Sequence, residues 1–210
     1  RKEASLFTGD SAQLLPKVFF VLGKSCSGKD TIFQSLKENK QLNLKTVVGY
    51  TTRPMRVNEK DGVEYFFVDQ NKLEELKKAK KVIECRDYNT VYGIWSYFTV
   101  DDGQIDLNNG DYLYIGTLES YEQMIDFYGE DVVVPLYIQV ETGERLARAV
   151  NRERNQSEPK YKELCRRFLA DEEDFSEEKI EKAGIKKRFE NNNLNQCIKE
   201  IEQEILKKIK

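Results

Sequence analysis

Gly23-Lys24-Ser25-Cys26-Ser27-Gly28-Lys29-Asp30-Thr31 has the spacing G-x-x-x-x-G-K of a loop that cradles phosphate, with Asp30 where Ser or Thr usually stands. The apolar run Val18-Phe19-Phe20-Val21-Leu22 precedes it. Thr31-Ile32-Phe33-Gln34-Ser35-Leu36 follows, with apolar positions at helical spacing. That order predicts strand, loop and helix, the context the motif requires. Glycines let successive backbone N–H groups converge on phosphate oxygens, and the helix N-terminus adds a favourable dipole. Lys29 is placed to reach the outer phosphates of a nucleoside triphosphate.

The chain has 210 residues, enough for one compact α/β unit with a small inserted lobe but not for a second large domain. Its 34 basic and 37 acidic residues leave a net charge of −3, which argues against a broad nucleic-acid-binding or anionic-membrane surface. Cys26, Cys85, Cys165 and Cys197 are widely separated and form neither a CxxC pair nor a metal cluster. This is the usage expected of reduced thiols in the cytoplasm. There is no histidine, so imidazole acid/base chemistry and His-ligated metals are excluded. No apolar run reaches membrane-spanning length. Residues 1–15 read as a polar, flexible tail ahead of a single domain over 16–210.

Within that domain the pattern predicts a core over 16–49 and 101–210, a lobe at about 50–100 and a lid at about 150–165. Leu44–Tyr50 is β-branched and leads into an Arg/Glu/Gly-rich loop, residues 51–62. Val63–Val68 and Lys81–Cys85 read as short strands flanking a charged helix over 70–80. The core resumes with a strand at Tyr112–Ile115, a helix over 118–127 and a buried strand at Val132–Ile138. A helix over 142–151 runs into the arginine-bearing breaker Arg152–Pro159. A helix over 161–175, a short strand near 187–189 and an amphipathic helix over 194–209 complete the unit.

The stretch Thr51-Thr52-Arg53-Pro54-Met55-Arg56-Val57-Asn58-Glu59-Lys60-Asp61-Gly62-Val63-Glu64-Tyr65-Phe66-Phe67-Val68 carries the second motif. Two arginines three residues apart on a tight loop can converge on one dianionic phosphate with multi-donor forks. This stretch meets T-T-R-x-x-R-x-x-E-x-x-G-x-x-Y-x-F-V at every defined position. With the phosphate loop ahead of it, the chain resembles the guanylate kinase family over most of residues 17–140.

The resemblance implies a P-loop NTPase fold: a parallel sheet flanked by helices, with a small inserted α/β lobe for the nucleoside monophosphate and an Arg-rich lid. It implies transfer of the γ-phosphoryl of ATP to GMP, with Mg²⁺ as cofactor and nucleotides as the partners. Residues Gly23 to Thr31 (Gly23, Lys24, Ser25, Cys26, Ser27, Gly28, Lys29, Asp30 and Thr31) would hold ATP. Arg53, Arg56, Tyr65 and Tyr92 would hold the acceptor phosphate, and Glu84 would read guanine. A carboxylate accepts from the N1–H and N2–H of guanine but opposes adenine N1. Lys29, Arg53 and the lid arginines Arg152 and Arg167, among Arg148, Arg152, Arg154, Arg166 and Arg167, would stabilise the transferring phosphoryl.

Departures from the family pattern surround the base and the metal. Gly49 and Ile94 stand where the family has hydroxyl residues, and Gly116-Thr117-Leu118 where it has Asp-x-Asp, leaving Thr117 or Glu119 as substitutes. Asp30 has two readings: a ligand to Mg²⁺ or its water shell, or an acidic residue complementing the positive end of its helix. Two rival functions share the motifs. One is a kinase for another phosphorylated acceptor; the other is a non-catalytic module whose arginines grip phosphopeptides.

Overall fold

The computed structural model describes residues 15–209, so the expectation of a flexible tail falls almost wholly outside the described residues. Strand β1 (Val18–Leu22) is buried at all five positions and forms the middle of a parallel sheet. Its neighbours are β6 (Tyr112–Ile115) and β7 (Val133–Gln139), and β8 (Arg188–Glu190) extends the sheet beyond β7, giving the order β6-β1-β7-β8. The alternation along β1 explains the layering. Val18, Phe20 and Leu22 face a core shared with Tyr121 and Met124 of α3 (Leu118–Tyr128), and with Phe175, Ile180 and Ile185. Phe19 and Val21 face the opposite core. There they meet Ile32 and Leu36 of α1 (Lys29–Glu38) and Cys197, Ile201 and Ile205 of α7 (Leu194–Leu206). A strand buried on both faces must be apolar throughout, and each large side chain so buried contributes about 2 kcal/mol.

A second sheet, order β3-β2-β5-β4, lies between α1 and β6 in sequence. It comprises β2 (Tyr50–Thr51), β3 (Phe66–Phe67), β4 (Val82–Thr90) and β5 (Gly93–Val100), with α2 (Gln70–Lys78) packing Leu73 against Phe98 and Val100. The long β4–β5 hairpin goes beyond the sequence expectation of a strand ending at Cys85. Gln123 of α3 ties it to the core by taking the Cys85 N–H at 2.8 Å and donating to the Cys85 carbonyl at 3.0 Å.

Two expected strands are shorter than their composition indicates. Over 44–49 the one strand pairing is the bridge from Lys45 to Tyr112, because the Gln104 amide takes both backbone groups of Val48, at 2.8 and 3.0 Å. A side chain that mimics a strand neighbour ends the ladder. Over 63–65 the chain turns instead: Gly62 N–H donates to the Tyr65 carbonyl at 2.7 Å, and Val63 is exposed.

The arginine-rich segment differs as well. Helix α4 (Thr142–Arg154) runs three residues past its expected end, so Arg152 and Arg154 occupy its last turn, where cations suit the dipole. Glu153 then accepts from Lys160 N–H at 2.7 Å, closing the link to α5 (Tyr161–Asp174). Helix α6 (Glu177–Lys182) follows. No helix among the described residues is long and apolar enough to cross a membrane.

Candidate active site

The phosphate loop leaves β1 and enters α1 through Gly28, whose φ of +87° lies in the left-handed region. A Cβ there would also collide with the Asn191 amide, which donates to the Ser27 carbonyl at 2.9 Å. Glycine is thus required twice over at this position. Cys26 also has a left-handed φ, 61°, a strained conformation for a side-chain-bearing residue that costs about 1 kcal/mol or more. The buried Ser27 hydroxyl has no partner among the described residues.

Helices α4 and α5 brace this loop. Arg145, wholly buried, donates to the Ser25 carbonyl at 3.2 Å and to Glu172 at 2.5 Å, with its guanidinium 3.9 Å over the Phe168 ring. Asp171 accepts from the Ser25 N–H at 2.7 Å and from its hydroxyl, and Lys24 pairs with Glu172 at 3.0 Å. The sequence reading did not single out Arg145, Asp171 or Asn191. The one local signal was the polar Arg145 falling on the apolar stripe with Ala149.

A cavity of about 420 Å³ opens between the loop and the α4–α5 segment, lined by Ser25, Cys26, Arg152, Arg167 and Phe168 among others. Arg152 and Arg167 therefore border the same space from two helices. Arg166, by contrast, turns away onto Glu163, and Arg148 pairs with Glu144. Lys29 begins α1, and its only ion-pair partner among the described residues is the exposed Asp30, at 3.4 Å.

Phe33 of α1 helps line a second cavity, of about 250 Å³, with Gly49, Tyr65, Arg86, Tyr97 and Tyr114. Glu84 is fully buried and contacts two of these lining residues, Tyr114 and Arg86. One carboxylate oxygen accepts from Thr99 at 2.8 Å and from Tyr114 at 2.6 Å; the other lies 3.3 Å from Arg86 Nε without a hydrogen bond. Burial, and then the charge of Glu84, push the Tyr114 hydroxyl up, so it stays protonated and donates. Gly116 admits no side chain, because a Cβ there would meet Ser120 and come within 2.8 Å of Phe20. Thr117 caps α3 in a reciprocal pair with Ser120 and Glu119 is exposed on its first turn, so neither residue replaces the family's carboxylates within this cavity.

The two arginines of the second motif are divided in role. Arg53 is buried with both terminal nitrogens on Glu59, at 2.8 and 2.9 Å, and only Nε unpaired. Arg56 is exposed, and its backbone N–H also donates to Glu59. Tyr65 lies beside Arg53, whose guanidinium is 5.6 Å from its ring. Tyr92, expected beside them, instead stands exposed at the β4–β5 hairpin tip, stacked on Trp95. The ladder that pairs β4 with β5 runs on to Thr90 and Gly93, which sets Tyr92 in the turn between them. Ile94 is likewise exposed there.

The hydrogen bonds from Arg53 hold Glu59 down to about 2, from an ordinary value of 4.5. A folded-state value below the unfolded one stabilises fully above pH 4.5, and this contribution fades as pH falls toward 2. Glu59→Gln should therefore flatten the fall in Tm between about pH 5 and about pH 3. Calorimetry at stepped pH checks it; a slope equal to the parent's would remove Glu59 from the acid response.

A sequence model of the family described as guanylate kinase matches residues 16–126, more than half of the chain. This chain belongs to the guanylate kinase family. It is 36% identical over 76 residues to a guanylate kinase of Mycoplasma genitalium, covering 36% of this chain and 32% of that protein. It is 41% identical over 78 residues to one of Mycoplasma mobile, covering 37% and 39%. The chain thus spans well under half the length of these curated relatives of the guanylate kinase family. The crystal structure of guanylate kinase from Anaplasma phagocytophilum superposes with a TM-score of 0.60 at 16% identity, over 94% of this chain and 89% of that one, a likeness of fold.

Proposed function

We propose that this chain is an ATP-dependent guanylate kinase that converts ATP and GMP to ADP and GDP. The observation that carries the reading is one phosphate loop and helix flanked by two cavities. One is walled by the lid arginines Arg152 and Arg167, the other by Tyr65, Tyr97 and Tyr114, the last hydrogen-bonded to the buried Glu84. The first suits the triphosphate donor and the second a planar base. An oxygen of the acceptor phosphate attacks the γ-phosphorus, the bond to the β–γ bridging oxygen breaks, and ADP leaves. The attacking oxygen is already ionised, so a chain without histidine lacks nothing for the step.

Lys29 and the loop N–H groups would hold the donor phosphates. Arg56 would meet the acceptor phosphate on a loop that the Arg53–Glu59 pair keeps in shape, and Arg152 and Arg167 would neutralise charge as the lid closes and excludes water. The clasp of Asp171 on Ser25 has to yield if that N–H is to turn to phosphate. The separated cysteines suit a cytoplasmic setting.

Mg²⁺ fits the donor set as an ion held by one carboxylate and by substrate phosphates. Asp30 is an exposed carboxylate beside Lys29, and among the described residues no cluster of three acidic or thiol ligands offers an all-protein cage. When bound, the ion would neutralise phosphate charge. Asp30→Ala should raise the Mg²⁺ concentration needed for half-maximal turnover severalfold. An unchanged Mg²⁺ titration would leave Asp30 only its place at the helix N-terminus.

The closed position at Gly116 favours one second reading, a kinase with another phosphorylated acceptor. Coupled ADP-release assays over GMP, dGMP, AMP, CMP, UMP and sugar phosphates test both. Preference for GMP supports guanylate kinase, turnover without that preference supports the alternative, and no turnover with any acceptor leaves a phosphate-binding module.

A further inference from the structure

The acceptor-side cavity holds a cation whose donors are unmet. Arg86 lies two residues beyond Glu84 on β4, hence on the same sheet face. It borders both the 250 Å³ cavity and an adjoining one of about 360 Å³ walled by Tyr65, Tyr88, Trp95 and Tyr97. Its side chain is only 19% exposed, and its Nε and the nearer Glu84 oxygen are both buried without hydrogen bonds. Among the described residues its guanidinium makes no hydrogen bond at all, whereas Arg53 and Arg145 have both terminal nitrogens engaged. Five donors in a fixed plane, bordering a cavity to which Gly49 brings no side-chain donor, call for an acceptor atom from a ligand.

That acceptor is not a phosphate. The Glu84 carboxylate beside the guanidinium offsets its charge and repels a dianion, and the walls are aromatic. A flat ring that presents an acceptor next to an N–H matches the guanidinium and the carboxylate together. A purine carrying a carbonyl at C6 has this edge, whereas adenine turns an amino group toward the guanidinium and sets donor against donor. We propose that Arg86 is a specificity-determining residue of the acceptor site, donating to the C6 carbonyl oxygen of the base while Glu84 takes the neighbouring ring N–H. This rests on the guanylate kinase reading and adds to it the group that replaces the hydroxyls missing at Gly49 and Ile94.

The test is equilibrium binding of GMP and of 6-thioguanosine 5′-monophosphate, which keeps the ring N–H but offers sulfur, a weaker acceptor. The parent protein should prefer GMP by about tenfold. Arg86→Met should lose most of that preference, and Arg86→Lys, which keeps the charge without the fork, should fall between. Equal affinity of the parent for the two ligands overturns the proposal, as does an undiminished preference in Arg86→Met or a proportionate loss of both ligands. Should Arg86→Met not fold, the parent and Arg86→Lys decide by the same comparison. An Arg86-dependent preference without phosphoryl transfer would sink the kinase reading alone; transfer to GMP with no such dependence would sink the Arg86 assignment alone. Failure of the parent to bind GMP would sink both.

Discussion

Lys29→Ala is expected to lower turnover by about a thousandfold or more while leaving acceptor affinity within about twofold. Lys29 is the first residue of α1, where the helix dipole disfavours a cation. Its only ion-pair partner among the described residues, Asp30, is exposed, and such a pair contributes little to stability. Folding therefore gives no reason for a lysine here, whereas a triphosphate does. The same substitution should leave Tm unchanged or slightly higher. Single-turnover kinetics with ATP and titration with GMP separate the two sites. Loss of GMP binding in the variant would contradict separate donor and acceptor sites.

Arg145→Met should cost about 3 kcal/mol of folding stability and raise the KM for ATP several-fold. The side chain is buried, and its removal leaves Glu172 and Asp171 without their common cation and the Ser25 carbonyl without its donor. Methionine keeps the apolar bulk over Phe168, so the loss reports the charge and its hydrogen bonds rather than a void. Because Glu172 and Asp171 retain some solvent contact, the loss belongs at the lower end of the range for broken buried pairs. Denaturant unfolding measures the first effect and steady-state kinetics the second. A variant as stable as the parent, with unchanged ATP kinetics, would make the clasp incidental.

Much of the fold was legible because its signals are local. The five apolar residues of β1, the phosphate loop and the start of α1 follow one another between Val18 and Thr31, and each is dictated by its neighbours in the chain. The strand at Tyr112–Ile115 was read with its observed bounds for the same reason. The β-branched stretch over 44–50 forms strand only in part, because composition cannot show that the Gln104 amide will occupy the backbone of Val48. Tyr92 is placed by its motif, but its exposure and its stacking on Trp95 follow from the β4–β5 pairing, which the motif does not show. Glu84 is read from its motif as the carboxylate that would meet guanine. Its pairing with Tyr114, Thr99 and Arg86 joins three strands, and of these partners only Arg86 is near it in sequence.

The sequence by itself determined the family, the phosphate loop and the two-arginine motif, since each is a spacing of residue types along a short stretch. Only the tertiary structure decided what each cation meets: Arg145 inward as a brace, Arg152 and Arg167 the cavity beside the phosphate loop, Arg53 Glu59, and Arg86 the cavity lined by Phe33 and Tyr114. Charge and residue type are the same for all five. What distinguishes them is burial and the partner each meets across the fold, and those arise from packing between segments far apart in the chain.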